Sequence, residues 1–76
     1  MGTLKAAVIG VGSMGRHHAR VYSELGQTTL VGIADAVEET GKRVASLYNV
    51  PAYADYHEML EREEPDVVTV AVPTGL

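Results

Sequence analysis

Three glycines, Gly10, Gly12 and Gly15, stand directly after the apolar run Ala6-Ala7-Val8-Ile9. Glycine inside a regular element costs about 0.5–1 kcal/mol relative to alanine, so this cluster marks a junction that needs backbone freedom or space. Before it, Leu4 to Ile9 reads as a short strand buried on both faces. After it, Met14, His18, Val21, Tyr22 and Leu25 recur at helical spacing, with Arg16, Arg20, Ser23 and Glu24 on the opposite side and Gly26 as the stop. The spacing Gly10-x-Gly12-x-x-Gly15 therefore falls where a strand becomes a helix. In a dinucleotide site the first such glycine permits a tight turn and the second lets a pyrophosphate approach bare backbone. The third lets helix and strand pack closely. The N–H groups of the helix start then face the phosphates, aided by the positive end of the helix dipole. The competing reading is a glycine-rich turn that serves packing alone.

The rest of the chain continues the alternation. Thr28 to Asp35 is β-branched and apolar and reads as a second strand. Val37, Gly41, Val44, Ala45 and Tyr48 mark a second helix stopped by Asn49 and Pro51. A brief extended piece, Pro51 to Ala54, precedes a third helix opened by Asp55, with Tyr56, Met59 and Leu60 on its apolar face and Pro65 after it. Val67 to Val72 reads as the most strongly buried strand of all, broken by Pro73. The order β-α-β-α-β-α-β predicts an α/β fold, a Rossmann-type doubly wound parallel sheet in partial form. In the strand order 3-2-1-4 the last strand would be an edge, yet it carries no charge or proline to guard it. The chain is therefore expected either to pair through this strand as a homo-oligomer or to be truncated from a longer polypeptide.

Asp35 closes the second strand, 20 residues beyond Gly15. A carboxylate there can accept hydrogen bonds from the ribose hydroxyls of a dinucleotide. It also begins Asp35-x-x-Glu38, a capping-box pattern repeated at Asp55-x-x-Glu58, so a helix cap is the alternative. Ala36 and Val37 follow Asp35 where a 2′-phosphate would need a cation, which favours NAD over NADP. Ser13 suits a phosphate donor or a plain cap at the helix start. Backbone atoms of Ala71, Val72, Pro73 and Thr74, past the carboxyl end of the last strand, suit the ribose and nicotinamide end of the same ligand, although Pro73 also serves simply to stop a strand. The expected cofactor-binding set is thus Gly10, Gly12, Ser13, Met14, Gly15, Asp35, Ala71, Val72, Pro73 and Thr74. A flavin site would share the glycines and the acid.

Other chemistry is poorly supported. There is no P-loop pattern and no cysteine, so thiolate metal sites and disulfides are excluded. His18 reads as a packed histidine hydrogen-bonded to a carbonyl, His17 lies nearer the helix edge, and His57 reads as a surface residue, with no ligand spacing for a metal. The tyrosines at 22, 48, 53 and 56 read as core or rim packing, and Arg16 as solvated. A net charge of −4 without a Lys/Arg cluster argues against nucleic acid and anionic membranes. The expected setting is the cytoplasm.

The segments "AAVIGVGSMGRHHARVYSEL", "LVGIAD", "YADYHEML" and "PDVVTVAVPT" together resemble the start of the Gfo/Idh/MocA oxidoreductases, the glucose–fructose oxidoreductase and inositol dehydrogenase family. His18 matches the histidine of that family's GxGxxGxxH opening. The resemblance implies NAD(P)-dependent oxidation of a hydroxyl on a sugar, sugar nucleotide or cyclitol, and the first segment is most similar to dehydrogenases of nucleotide-linked amino sugars. Family members continue with a Glu-Lys-Pro segment carrying a catalytic lysine and with a second α/β domain. Residues 1–76 would then be the N-terminal part of the NAD(P)-binding domain, and no catalytic residue is assigned among them. A non-catalytic nucleotide-binding module and a purely structural α/β unit are the alternatives.

Overall fold

The backbone of residues 3–10 and 13–71 is described by a computed structural model, together with all their side chains except those at positions 13, 14 and 16. The elements are β1 (Leu4–Ile9), α1 (Ser13–Glu24), β2 (Thr28–Ala34), α2 (Glu38–Tyr48), β3 (Ala52–Tyr53), α3 (Tyr56–Glu63) and β4 (Val67–Val70). The four strands form one parallel sheet in the order β3-β2-β1-β4. This is the expected Rossmann-type arrangement, in which every strand points its carboxyl end to the same rim.

Alternation along β1 divides the core between the two faces of the sheet. Val8 points to one face, where Ala19 of α1, Leu30 and Ile33 of β2, and Val44 and Ala45 of α2 close around it. Ala7 points to the other, where Ala34 and Met59 of α3 meet it. Ile33, Met59, Val8 and Val44 are the largest fully buried side chains, each contributing about 1.5–3 kcal/mol by leaving water. Met59 lies so close over β2 that a Cβ on Gly32 would stand 3.1 Å from its sulfur, so Gly32 is the gap that α3 fills.

The helices settle somewhat differently from their sequence patterns. The expected apolar stripe of α1 included Val21 and Leu25, but both are exposed, and the line facing the sheet is Gly15, Ala19 and half-buried Tyr22. Close approach of α1 to β1 selects small residues at the contact, and size overrides hydrophobicity there. His18 is half-buried and meets exposed His17 edge-on, with ring centroids 6.1 Å apart. Tyr22 reaches the sheet edge, its hydroxyl 2.5 Å from Thr69 Oγ1. Tyr53 donates to Glu63 Oε2 at 2.5 Å, which ties β3 to α3, and this bond above all holds its phenol above the ordinary tyrosine range.

The helix ends also divide the two capping-box patterns. Asp55 is the N-cap of α3 and accepts from the His57 N–H at 2.9 Å. That bond, more than any other contact, lowers its carboxyl pKa. Glu58, the other half of that box, pairs with Arg62 instead. Asp35 does not cap α2: the N-cap is Val37, with no side-chain cap bond. Asp35 Oδ1 accepts from the Val37 N–H at 2.7 Å and so holds the turn that leads into the N-cap, two residues ahead of it. Asn49 ends α2 in the left-handed region at φ 59°, as its position predicted.

β4 is shorter and less buried than its sequence predicts. It ends at Val70, although the Ala71 N–H still donates to Ile9 O at 2.8 Å. Val68 and Val70 share a face with Ala7 and Ile9, their partners in β1, and Val70 is 62% exposed. The reason is position: β4 is the sheet edge among the described residues, and α3 packs over β2 and β3. Asp66 fixes the register of this edge, accepting the Lys5 N–H at 2.8 Å while its own N–H donates to Lys5 O at 2.7 Å.

Candidate functional site

The turn after β1 is built by two glycines with different tasks. Gly10 has φ 87°, a conformation that side chains rarely adopt, and its N–H donates to Ala34 O at 2.7 Å. This bond holds the exit of β1 against the exit of β2. Gly15, in the first turn of α1, is buried against that turn, and a Cβ added to it would fall inside the Gly10 carbonyl, with Ala71 Cβ 3.4 Å away. The absence of a side chain at Gly15 therefore lets α1 start directly over the strand end. The first turn of α1 carries no acidic residue, so an anion there meets only the favourable end of the helix dipole.

Beyond this turn a cavity of about 770 Å³ opens along the carboxyl rim of the sheet. Gly10 lines its centre, Val70 and Ala71 its β4 end, and Asp35, Val37 and Tyr56 its β2 and β3 end. The volume is in the range that holds cofactor-sized ligands. Its described walls are apolar except for Asp35, Thr40 and Tyr56, and none carries Lys or Arg. Asp35 is half-buried, its N–H donates to Tyr53 O at 3.0 Å, and the Val37 bond orients its carboxylate.

Of the ten expected binding residues, the structure thus gathers Gly10, Asp35 and Ala71 onto one cavity and seats Gly15 beneath its central turn. Gly12, Val72, Pro73 and Thr74, and the side chains of Ser13 and Met14, lie outside the described residues. Among the residues around the cavity that the sequence did not mark as part of the site, Gly41 and Tyr56 stand out. Gly41 packs under Asp35, with 3.2 Å between an added Cβ and Asp35 Cβ; a glycine inside a helix was the available signal. Tyr56 borders the cavity instead of joining the core, and nothing in its spacing separates it from Met59 and Leu60.

A family profile described as the oxidoreductase family with an NAD-binding Rossmann fold, Gfo/Idh/MocA, matches residues 4–76. The chain belongs to the Gfo/Idh/MocA oxidoreductase family. It is 34% identical over 72 residues to the UDP-N-acetylglucosamine 3-dehydrogenase of Acidithiobacillus ferrooxidans, a match covering 95% of this chain and 22% of that protein. Among solved structures, GenD2 from gentamicin A biosynthesis, in complex with NAD, superposes with a TM-score of 0.89 at 29% identity, over 96% of this chain and 21% of that one. A putative myo-inositol dehydrogenase from Sinorhizobium meliloti superposes with a TM-score of 0.87 at 25% identity, over 95% and 22% of the two chains. The chain thus spans about a fifth of the length of these relatives, and its matched part is the NAD-binding Rossmann fold of the Gfo/Idh/MocA oxidoreductase family. Among the described residues no helix is long and apolar enough to cross a membrane.

Proposed function

We propose that these residues bind NAD in preference to NADP, as the N-terminal part of a dehydrogenase that oxidises a hydroxyl of a sugar, sugar nucleotide or cyclitol. One observation carries the cofactor reading: Gly10 and Asp35 line the same cavity, whose described walls hold no cation. Main-chain amides at the start of α1 would take the pyrophosphate, and the Asp35 carboxylate would accept the ribose hydroxyls. Asp35 would equally repel a 2′-phosphate. Ala71, with Val72, Pro73 and Thr74 after it, would border the nicotinamide end. When bound, the nicotinamide supplies a hydride acceptor for the carbon bearing the substrate hydroxyl. The matched relatives act on a UDP-linked amino sugar and, by name, on an inositol, which supports the substrate class. The exposed side chains of Val68 and Val70, and the position of β4 at the sheet edge among the described residues, support a sheet that continues in a longer polypeptide. The native polypeptide is then heavier than the 8.1 kDa of these residues, and mass spectrometry finding 8.1 kDa overturns that part.

Calorimetric titration of the chain with NAD and NADP tests the cofactor reading. NAD is expected to bind at least about tenfold more tightly, equivalent to about 1.4 kcal/mol. Equal or tighter binding of NADP would refute the preference, and no binding of either would refute the site.

Gly41→Ala gives a second, subtler test. The helix gains about 1 kcal/mol of propensity, but the new Cβ, 3.2 Å from Asp35 Cβ, moves that side chain. Because Cβ moves only with the backbone, the end of β2 at Asp35 has to give way, and a hydrogen bond to the ribose misplaced by that shift is worth about 0.5–1.5 kcal/mol, so the NAD dissociation constant should rise about two- to tenfold. The melting temperature should hardly change. Unaltered NAD affinity would mean that the position of the Asp35 carboxylate is immaterial.

A further inference from the structure

We infer that Tyr56 is the aromatic wall against which the adenine of the dinucleotide stacks, an inference that rests on the dinucleotide reading above. The order of groups along the cavity carries it. Gly10 marks the pyrophosphate at the end of β1, and Asp35 marks the adenosine ribose at the end of β2. The base on that ribose continues away from β1, and the strand next to β2 on that side is β3. There the cavity is lined by Ala54, in the turn between β3 and α3, and by Tyr56, the first residue of α3. Tyr56 is 44% exposed although it sits in the apolar pattern of α3, so its ring is withheld from the core.

The ring is also held in place. It stacks on His57, with centroids 4.1 Å apart and planes inclined by 28°. His57 Nδ1 lies 3.1 Å from Asp55 Oδ1, and the same carboxylate oxygen accepts the His57 N–H. A cap of α3 thus fixes an imidazole, and the imidazole backs a phenol at the cavity wall. A flat, apolar, π-bearing wall suits a purine, and a pre-oriented ring loses little freedom when the purine arrives.

The test is titration of the wild-type chain, Tyr56→Ala and Tyr56→Phe with AMP, NAD and nicotinamide mononucleotide. Stacking on an aromatic predicts a loss of about tenfold in AMP and NAD affinity for Tyr56→Ala. Tyr56→Phe should restore binding, and nicotinamide mononucleotide should bind all three proteins alike. If Tyr56→Ala binds AMP and NAD like the wild type, the Tyr56 role is overturned while the dinucleotide site stands. If the wild type binds neither AMP nor NAD, the dinucleotide reading itself falls and takes this role with it. Nuclear Overhauser contacts in the wild type provide an arm independent of how the variants fold. Cross-peaks between adenine H2 or H8 and the Tyr56 ring are expected; adenine contacts to Val37 methyls without any to Tyr56 would overturn the proposal.

Discussion

Gly15→Ala is expected to cost about 3 kcal/mol or more, the upper range for overpacking a tight contact. The added methyl would occupy the position of the Gly10 carbonyl, which is backbone and cannot rotate away as a side-chain tip would. Relief requires α1 to lift from the end of β1. Lifting α1 would uncover Ala19 and loosen the cluster around Val8, and it would break the close seating of the helix start over the cavity. A domain of this length has roughly 4–11 kcal/mol of total stability, so the variant should be largely unfolded at modest urea concentrations. Gly26→Ala is the matched control, because nothing lies within 4 Å of a Cβ there. It should leave the urea midpoint unchanged or raise it slightly through the unfolded chain. Circular dichroism of both variants across a urea series separates the two cases. A Gly15→Ala midpoint close to that of Gly26→Ala would mean that α1 does not depend on this contact.

The same glycine shows how far the sequence could be read. A GxGxxG pattern between an apolar run and a helical periodicity is legible because three local signals agree, and strand order and cavity position followed from them. The identity of the sheet-facing line of α1 was not legible. Val21 and Leu25 look more like core residues than Ala19 does, but the contact distance set by Gly15 excludes large side chains, and that distance is a tertiary fact. Burial of β4 failed for a similar reason. Val67-Val68-Thr69-Val70 has the composition of a central strand, and composition cannot tell whether a neighbour is present on the far edge. Asp35 and Asp55 begin identical four-residue patterns, and only the backbone distinguishes them. One caps its helix, while the other stands two residues before its cap and turns toward the cavity.

That distinction sets the second large effect. Asp35→Ala is expected to raise the NAD dissociation constant about ten- to hundredfold, the worth of hydrogen bonds to a charged acceptor at about 1.5–3 kcal/mol. The variant also loses the bond from the Val37 N–H, an exposed contact whose net value is about 0.5–1.5 kcal/mol. A loss of affinity could therefore be attributed to a loosened turn instead of a missing ribose contact. Asp35→Asn separates the two causes. Its side-chain carbonyl can still accept from Val37, so the urea midpoint should stay near that of the wild type. Its charge is gone, so NADP should gain affinity relative to NAD, whereas a turn effect would weaken both ligands equally. Calorimetry with NAD and NADP on all three proteins, beside their urea midpoints, resolves the matter. If Asp35→Asn keeps the full preference for NAD, the carboxylate does not repel a 2′-phosphate. If Asp35→Ala keeps full NAD affinity, the ribose lies elsewhere, and Asp35 serves only to shape the turn before α2.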